Sequence, residues 1–250
     1  MPRTARKKSP TGVYHVVLRG INKQTIFYDD EDREVFLSRL KIEKEKKPYQ
    51  IYSFCLMSNH IHILINELEN SIGKIFQKIL GSYVYWYNRK YERIGNLFQD
   101  RFKSEIINND SHLLSAIRYI HQNPVKAGIV KSVEEYGWSS YSAYINDKRS
   151  FVETDLILSI LNGKEEYIKF MEEMEEKMFL EFENTPSISD SKLQLLIERI
   201  YKKYRVNNIL NLEKGGRDEI LSIIRQILGT SIRQISRVTG VPVSIIRYIE

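Results

Sequence analysis

The tripeptide His60-Ile61-His62 lies in the apolar run Ile51 to Ile65, directly after the turn-like pair Ser58-Asn59. In a strand, residues i and i+2 project from the same face. His60 and His62 therefore stand side by side, while Ile61, Ile63 and Ile65 face the other way and suit a core. The chain has five histidines, and two of them are here. Two neutral imidazoles on one strand can hold a divalent metal, but they need at least a third ligand from elsewhere. The alternative is a pair of half-exposed strand histidines.

A second set of reactive groups lies downstream. Asp110 or Ser111 can cap a helix running to Asn123, where Pro124 is expected to end it. Leu113, Ile117 and Ile120 share one face of that helix and are expected to pack on the sheet. Tyr119 and Asn123 are four apart, so they share a different face. Alone, Tyr119 reads as an amphipathic tyrosine at the rim of the core, and Asn123 as a last helical residue before a turn. Together they place a hydroxyl nucleophile and an amide oxygen one turn apart, on a helix able to pack beside a His-x-His strand.

The elements that must position these groups read as a mixed α+β domain. Val13 to Leu18 is β-branched and aromatic, and reads as a strand ended by Arg19-Gly20. Asp29-Asp30-Glu31-Asp32 is an acidic helix start, and the helix runs to about Lys46 before Lys47-Pro48. Tyr49 to Met57 and His60 to Glu67 are two strands joined by a tight turn, hence an antiparallel hairpin. Ser71 then caps a long helix in which Ile72, Ile75, Phe76, Ile79, Leu80, Tyr83 and Tyr87 recur at helical spacing. The aromatic cluster Tyr83, Tyr85, Trp86 and Tyr87 suits stacking on bases; the alternative expects Tyr83 and Tyr87 in the core and Tyr85 and Trp86 partly exposed. The order strand–helix–strand–strand–helix suggests a ferredoxin-like antiparallel sheet with helices on one face.

A chain of 250 residues can bury a sizeable core as one large or two small domains. Its net charge of +6 favours a polyanionic partner. The basic start, Pro2 to Lys8, suits either phosphate contact or a solvated end. A single cysteine, Cys55, excludes an internal disulfide and fits a reducing cytoplasm; its apolar strand makes it a buried small hydrophobe. No apolar run of membrane-spanning length and no signal-peptide core occur, so no membrane partner is expected.

From about Phe151 the pattern is nearly all helical. Residues 151–185 are expected as a helical extension with a strongly acidic stretch, and Glu183-Asn184-Thr185-Pro186-Ser187 as a linker. Residues 186–250 then form a helical domain, with amphipathic helices at Leu193–Tyr204 and Arg217–Leu228. Its end, Ser231 to Ile249, holds a short helix, a glycine turn at Gly240 and a second helix. That pattern suits a DNA-binding helix-turn-helix with Ser244 and Arg247 facing DNA, or else a plain helical hairpin. The last helix runs to Glu250 without a stop signal, so a continuation is expected.

Several blocks in order carry a resemblance. They are Gly12-Val13-Tyr14-His15-Val16 with Arg19-Gly20, Ile26-Phe27 with Asp29-Asp30-Glu31-Asp32-Arg33, and Met57-Ser58-Asn59-His60-Ile61-His62. There follow Leu97-Phe98-Gln99-Asp100-Arg101-Phe102-Lys103-Ser104, Arg118-Tyr119-Ile120 with Asn123-Pro124-Val125-Lys126-Ala127-Gly128, and Trp138-Ser139-Ser140-Tyr141. Across about Gly12 to Tyr144 the chain resembles the HUH single-tyrosine transposases, and within them the REP-associated tyrosine transposases. The resemblance implies a ferredoxin-like domain over residues 1–150. It implies a divalent metal, Mg²⁺ or Mn²⁺, on His60, His62 and Asn123, with Tyr119 the nucleophile. Relatives often carry glutamine at the position of Asn123, and proline at that of Ser58.

The implied activity is cleavage and rejoining of single-stranded or hairpin DNA through a 5′-phosphotyrosine link, by a monomer or a homodimer. Arg101, Lys103 and Arg19 are candidates for phosphate contacts or are ordinary surface cations. His112 and His121 take no role in this reading and are expected as exposed or capping residues. The competing reading is a non-catalytic, sequence-specific DNA-binding regulator on the same scaffold.

Overall fold

Strand β1, Val13–Arg19, is buried along all but its last residue. Helix α1, Asp30–Lys46, begins at a capping box: Asp29 accepts from the Asp32 amide and the Asp32 carboxylate accepts from the Asp29 amide. Its acidic first turn and basic last turn complement the helix dipole. Strands β2, Gln50–Leu56, and β3, His60–Asn66, form the expected hairpin. Helix α2, Ile72–Lys90, starts as expected after Ser71. The Ser71 side chain makes no cap bond, however; the Glu67 carboxylate accepts from the Ile72 amide instead. The computed structural model describes residues 8–146, 150–175, 179–180, 188–227 and 230–249. Of the expected basic tail only Lys8 falls among them, and the expected linker at 183–187 lies outside.

A fourth strand, β4 (Lys103–Ile106), completes the sheet without any signal in the sequence. Three of its four residues are polar and all are half-buried, and it pairs with β1 on one side only. All pairings are antiparallel and the order is β2-β3-β1-β4. With the two helices this is the β-α-β-β-α-β ferredoxin-like arrangement. Directly opposed residues of an antiparallel pair share a face. Val17 faces His62, Arg19 faces His60, and Val17 and His15 face Lys103 and Glu105 on the other side. One face of the sheet thus carries His15, Arg19, His60, His62, Lys103 and Glu105. The opposite face is apolar, with Val16, Leu18, Ile61, Ile63 and Ile65 fully buried.

Helix α3, Asp110–Lys126, packs against β2 and β3. Its cap is Asn109, which accepts from the His112 amide, rather than Asp110 or Ser111. Pro124 does not stop it either. The helix continues to Lys126, since a proline in the last turn costs one hydrogen bond to the carbonyl four residues back and little else is left to disrupt. Three short helices follow: α4 (Tyr141–Ile145), α5 (Asp155–Ile160) and α6 (Lys164–Glu172). They join the same core, with Tyr144 and Tyr167 stacked at 4.4 Å. Tyr83 and Tyr87 are core residues, Tyr85 is exposed, and Cys55 is a buried free thiol.

The chain divides into two compact units, Met1–Phe182 and Glu183–Glu250. The second is all-helical among the described residues: α7 (Asp190–Tyr204), α8 (Lys214–Arg225), α9 (Ile232–Thr239) and α10 (Val243–Ile246). Leu193, Ile197, Leu221, Ile224, Ile235, Val241 and Ile246 form its core. Gly240, at φ +75°, takes the left-handed conformation that turns the chain between α9 and α10. Ser244 and Arg247 are exposed. No helix among the described residues is long and apolar enough to cross a membrane.

Candidate functional site

The turn before His60 is pinned from three sides. The Ser58 carbonyl accepts from the amides of Ile26 and Phe27, at 2.8 and 3.1 Å, and the Asn59 carbonyl accepts from Gly20 at 2.9 Å. Gly20 has to be glycine, because the Gln24 carbonyl and the Ile26 side chain occupy the space of any Cβ. Backbone bonds therefore fix the entry to β3, with Ser58 where the resemblance points to proline.

Helix α3 turns Tyr119 and Asn123 toward the histidine face of the sheet. Asn123 Oδ1 lies 3.2 Å from His60 Nε2, and Asn123 Nδ2 lies 3.3 Å from His62 Nε2. The Tyr119 ring meets His62 edge-on at 5.7 Å and is only 4 % exposed. The rim position expected for Tyr119 is thus replaced by a nearly buried one. The helix stripe facing the sheet is wide enough to include it with Leu113, Ala116, Ile117 and Ile120, all buried. Four candidate residues from β3 and α3, His60, His62, Tyr119 and Asn123, therefore meet in one cluster.

Tautomers follow from the bonds around the rings. Asn59 Nδ2 donates to the Lys23 carbonyl, so Asn59 Oδ1 faces His60 Nδ1, at 2.7 Å. A neutral His60 with its proton on Nδ1 presents the Nε2 lone pair toward Asn123 Oδ1, another acceptor. Two acceptors held 3.2 Å apart, with a second imidazole Nε2 beside them, make a donor set that suits a cation. Among the described residues no three His, Cys, Asp or Glu side chains gather into a metal cage. This cluster is of a different kind, two imidazoles and one carboxamide. Burial holds the His62 imidazole well below its usual range, reinforced by its neighbours His15 and His60, so it is neutral and available as a ligand.

Sequence reasoning missed three neighbours. His15, fully buried on β1, places Nε2 3.0 Å from His62 Nδ1. Lys126 Nζ, two helical turns after Tyr119 on α3, sits 4.9 Å over the Tyr119 ring and donates to the Glu175 carbonyl. Phe179 covers the Tyr119 ring at 5.0 Å and also meets His15 and His112. The segment leading to it is tied to α3: Arg118 pairs with Glu173 and Glu175 at 2.8 and 3.0 Å, and Gln122 donates to the carbonyls of Met171 and Glu173. Spacing along one strand or helix could not reveal His15 or Phe179, which come from segments about fifty residues or more away. Lys126, seven residues after Tyr119 on α3, lies on a face that helical spacing does indicate.

The remaining candidates divide by place. Arg19 and Lys103 lie on the histidine face, Arg19 opposite His60 and Lys103 one strand beyond the Val17–His62 pair. Arg101 is exposed just before β4. Ser244 and Arg247 belong to the second unit. His121 corrects the expectation of an exposed or capping residue. It is fully buried, bonded to Ser140 Oγ at 2.8 Å and to the Tyr167 hydroxyl at 2.7 Å. Since Ser140 Oγ also accepts from the Phe54 amide of β2, His121 anchors the back of α3 to the sheet and to α6. His112 is half-buried, with Nε2 3.7 Å from Glu105.

Comparison with known proteins bears on the part of the chain that holds these residues. The family model described as "Transposase IS200 like" matches residues 9–123, which hold β1 to Asn123 of α3. A Haemophilus influenzae protein classed as a REP-associated tyrosine transposase is 30% identical over 118 residues, covering 42% of this chain and 66% of the relative. This chain thus spans just under two thirds of that relative's length. A solved REP-associated tyrosine transposase, described as bound to a REP hairpin, superposes with a TM-score of 0.50. That match has 18% identity and covers 62% of this chain and 92% of the other.

Proposed function

We propose that the chain, whose residues 9–123 match the family model described as "Transposase IS200 like", cleaves and rejoins single-stranded or hairpin DNA through Tyr119. The observation that carries the reading is the convergence of the Asn123 amide on both His60 and His62 with Tyr119 against the same imidazole. What supports a DNA hairpin as substrate is that the solved protein of similar fold is described as bound to a REP hairpin.

In the proposed step the Tyr119 oxygen attacks a phosphodiester phosphorus. A bond forms between that oxygen and phosphorus, the bond to the 3′-oxygen breaks, and the phenolic proton ends on the released 3′-hydroxyl. The product is a 5′-phosphotyrosine link, which a second 3′-hydroxyl reverses without ATP. A phenol is mostly protonated near neutrality, so the step needs help. His60, His62 and Asn123 would hold a divalent ion, Mg²⁺ or Mn²⁺, which when bound polarises the phosphate and orients it. Lys126, over the Tyr119 ring, supplies positive charge where a phosphate must approach. Arg19 and Lys103, on the same sheet face, and Arg101 nearby would hold the backbone of the strand. Ser244 and Arg247, exposed on α10 and just past it, suit a second DNA contact from a helix-turn-helix. Because Tyr119 is covered by Phe179, that ring must move aside for DNA.

The test is incubation with Mn²⁺ and a panel of single-stranded hairpins, followed by a denaturing gel. A covalent shift is expected with the wild type, absent in Tyr119→Phe although that variant still binds the oligonucleotide. A shift retained by Tyr119→Phe removes Tyr119 as nucleophile. Binding without a shift under any metal favours the regulator reading.

A further inference from the structure

His15 is the one buried histidine at the cluster that the proposed chemistry does not use. We propose that it is a positioning residue: it fixes which nitrogen of His62 points into the cluster. This rests on the metal-site reading given above. His15 is fully buried on β1, its ring stacked on His62 at 5.2 Å with an interplanar angle of 20°.

A neutral imidazole has one N–H and one acceptor nitrogen, so the partner of one nitrogen dictates the role of the other. His62 Nε2 lies 3.3 Å from the Asn123 amide nitrogen, a donor, so Nε2 accepts and Nδ1 carries the proton. The nearest group to that proton is His15 Nε2, at 3.0 Å. His15 Nε2 therefore accepts, and His15 holds its own proton on Nδ1. That nitrogen faces the Glu105 carboxylate, 3.9 Å away. Glu105 is itself held, with Oε2 accepting from the Leu180 amide at 2.9 Å. Along Glu105, His15 and His62 every proton points away from the cluster. The lone pair left at the end, on His62 Nε2, points in.

The same logic serves His60 through Asn59, but with a side chain next to it in sequence. His62 has no such neighbour, because residues 61 and 63 face the other side of the sheet. Its partner has to come from the adjacent strand, diagonally across the β1–β3 pair, where His15 stands opposite Leu64. Outer groups of this kind orient a ligating imidazole and raise its basicity.

The experiment compares wild type, His15→Phe and His15→Gln as full chains. Phenylalanine keeps the ring volume and removes the acceptor; glutamine offers a carbonyl oxygen at similar reach. Mn²⁺ affinity is read by calorimetry, and the His62 tautomer in the metal-free protein by long-range ¹H–¹⁵N NMR. Expected are an Nδ1–H His62 in the wild type, roughly 10- to 100-fold weaker Mn²⁺ binding in His15→Phe, and recovery of most of that loss in His15→Gln. A purely structural His15 would lower the melting temperature of both variants and leave their metal affinities alike. The inference is overturned if His15→Phe binds Mn²⁺ as the wild type does, or if wild-type His62 carries its proton on Nε2. Should His15→Phe fail to fold, the wild-type tautomer and the His15→Gln affinity still decide it. Wild-type protein that binds no Mn²⁺ but shows Nδ1–H on His62 would sink the metal reading and leave the tautomer assignment standing.

Discussion

Replacing His121 with phenylalanine should destabilise the first unit at neutral pH and much less in acid. His121 sits fully buried behind the tyrosine helix, and phenylalanine fits its volume while deleting both its hydrogen bonds. Ser140 Oγ keeps the Phe54 amide, but the buried Tyr167 hydroxyl loses its bond to the imidazole. An unsatisfied buried hydroxyl costs about 1–3 kcal/mol. For a unit of this size that is roughly 2–12 °C in melting temperature. Burial also holds the imidazole pKa down to about 3, against about 6.5 in an unfolded chain. The sign follows: below pH 6.5 the unfolded chain takes up a proton that the native state refuses. The contribution of neutral His121 is complete above that pH and is lost as pH falls toward 3. The slope is about 1.4 kcal/mol per pH unit, hence about 2 kcal/mol between pH 6.5 and 5. Phenylalanine has no such penalty, so the two proteins should converge by that amount. His62, held low for the same reason, titrates in both and cancels in the difference. Both tryptophans, Trp86 and Trp138, lie in the first unit, so tryptophan fluorescence during urea unfolding, with chelator present, reports that unit alone. A stability gap that stays constant from pH 7.5 to 5 would refute the claim that His121 is buried and neutral.

Other perturbations separate the parts of the account. Lys103→Gln should weaken single-strand binding and reduce the slope of log affinity against log salt by about 0.7, the value for one lost phosphate contact; an unchanged slope removes Lys103 from the interface. Phe179→Ala should expose Tyr119 and raise its rate of nitration, read by peptide mass; an unaltered rate means that Phe179 does not shield the hydroxyl. Asp32→Ala should destabilise by about 3 kcal/mol in urea unfolding, since the buried carboxylate accepts from the Tyr28 and Asp29 amides and Tyr91 and pairs with Lys90. A loss under 1 kcal/mol would mean that Asp29 and Glu31 hold Lys90 unaided.

The parts of this fold visible in the sequence are those with a strong period. Alternation in β3 assigned His60 and His62 to one face and the isoleucines to the other, and the register agrees. Helical spacing in α2 separated buried Tyr83 and Tyr87 from exposed Tyr85. β4 was invisible because Lys-Ser-Glu-Ile at a half-buried edge has neither alternation nor a continuous apolar run. The meeting of Tyr119 and Asn123 with the histidine pair could be argued from spacing. Their burial could not, because the width of the contact stripe on α3 depends on how closely it approaches β2 and β3. His15 shows the limit best. Period two gives the face of a residue on its own strand and says nothing about which strand lies alongside.

The central claim is that Tyr119 itself becomes bonded to DNA. The most direct measurement is peptide mass mapping of the wild-type protein after reaction with a single-stranded hairpin and Mn²⁺. The account predicts a nucleotide phosphate mass on the tryptic peptide Tyr119–Lys126, located by fragmentation at Tyr119. Modification of any other residue, or hydrolysis of the strand with no adduct at all, would contradict it.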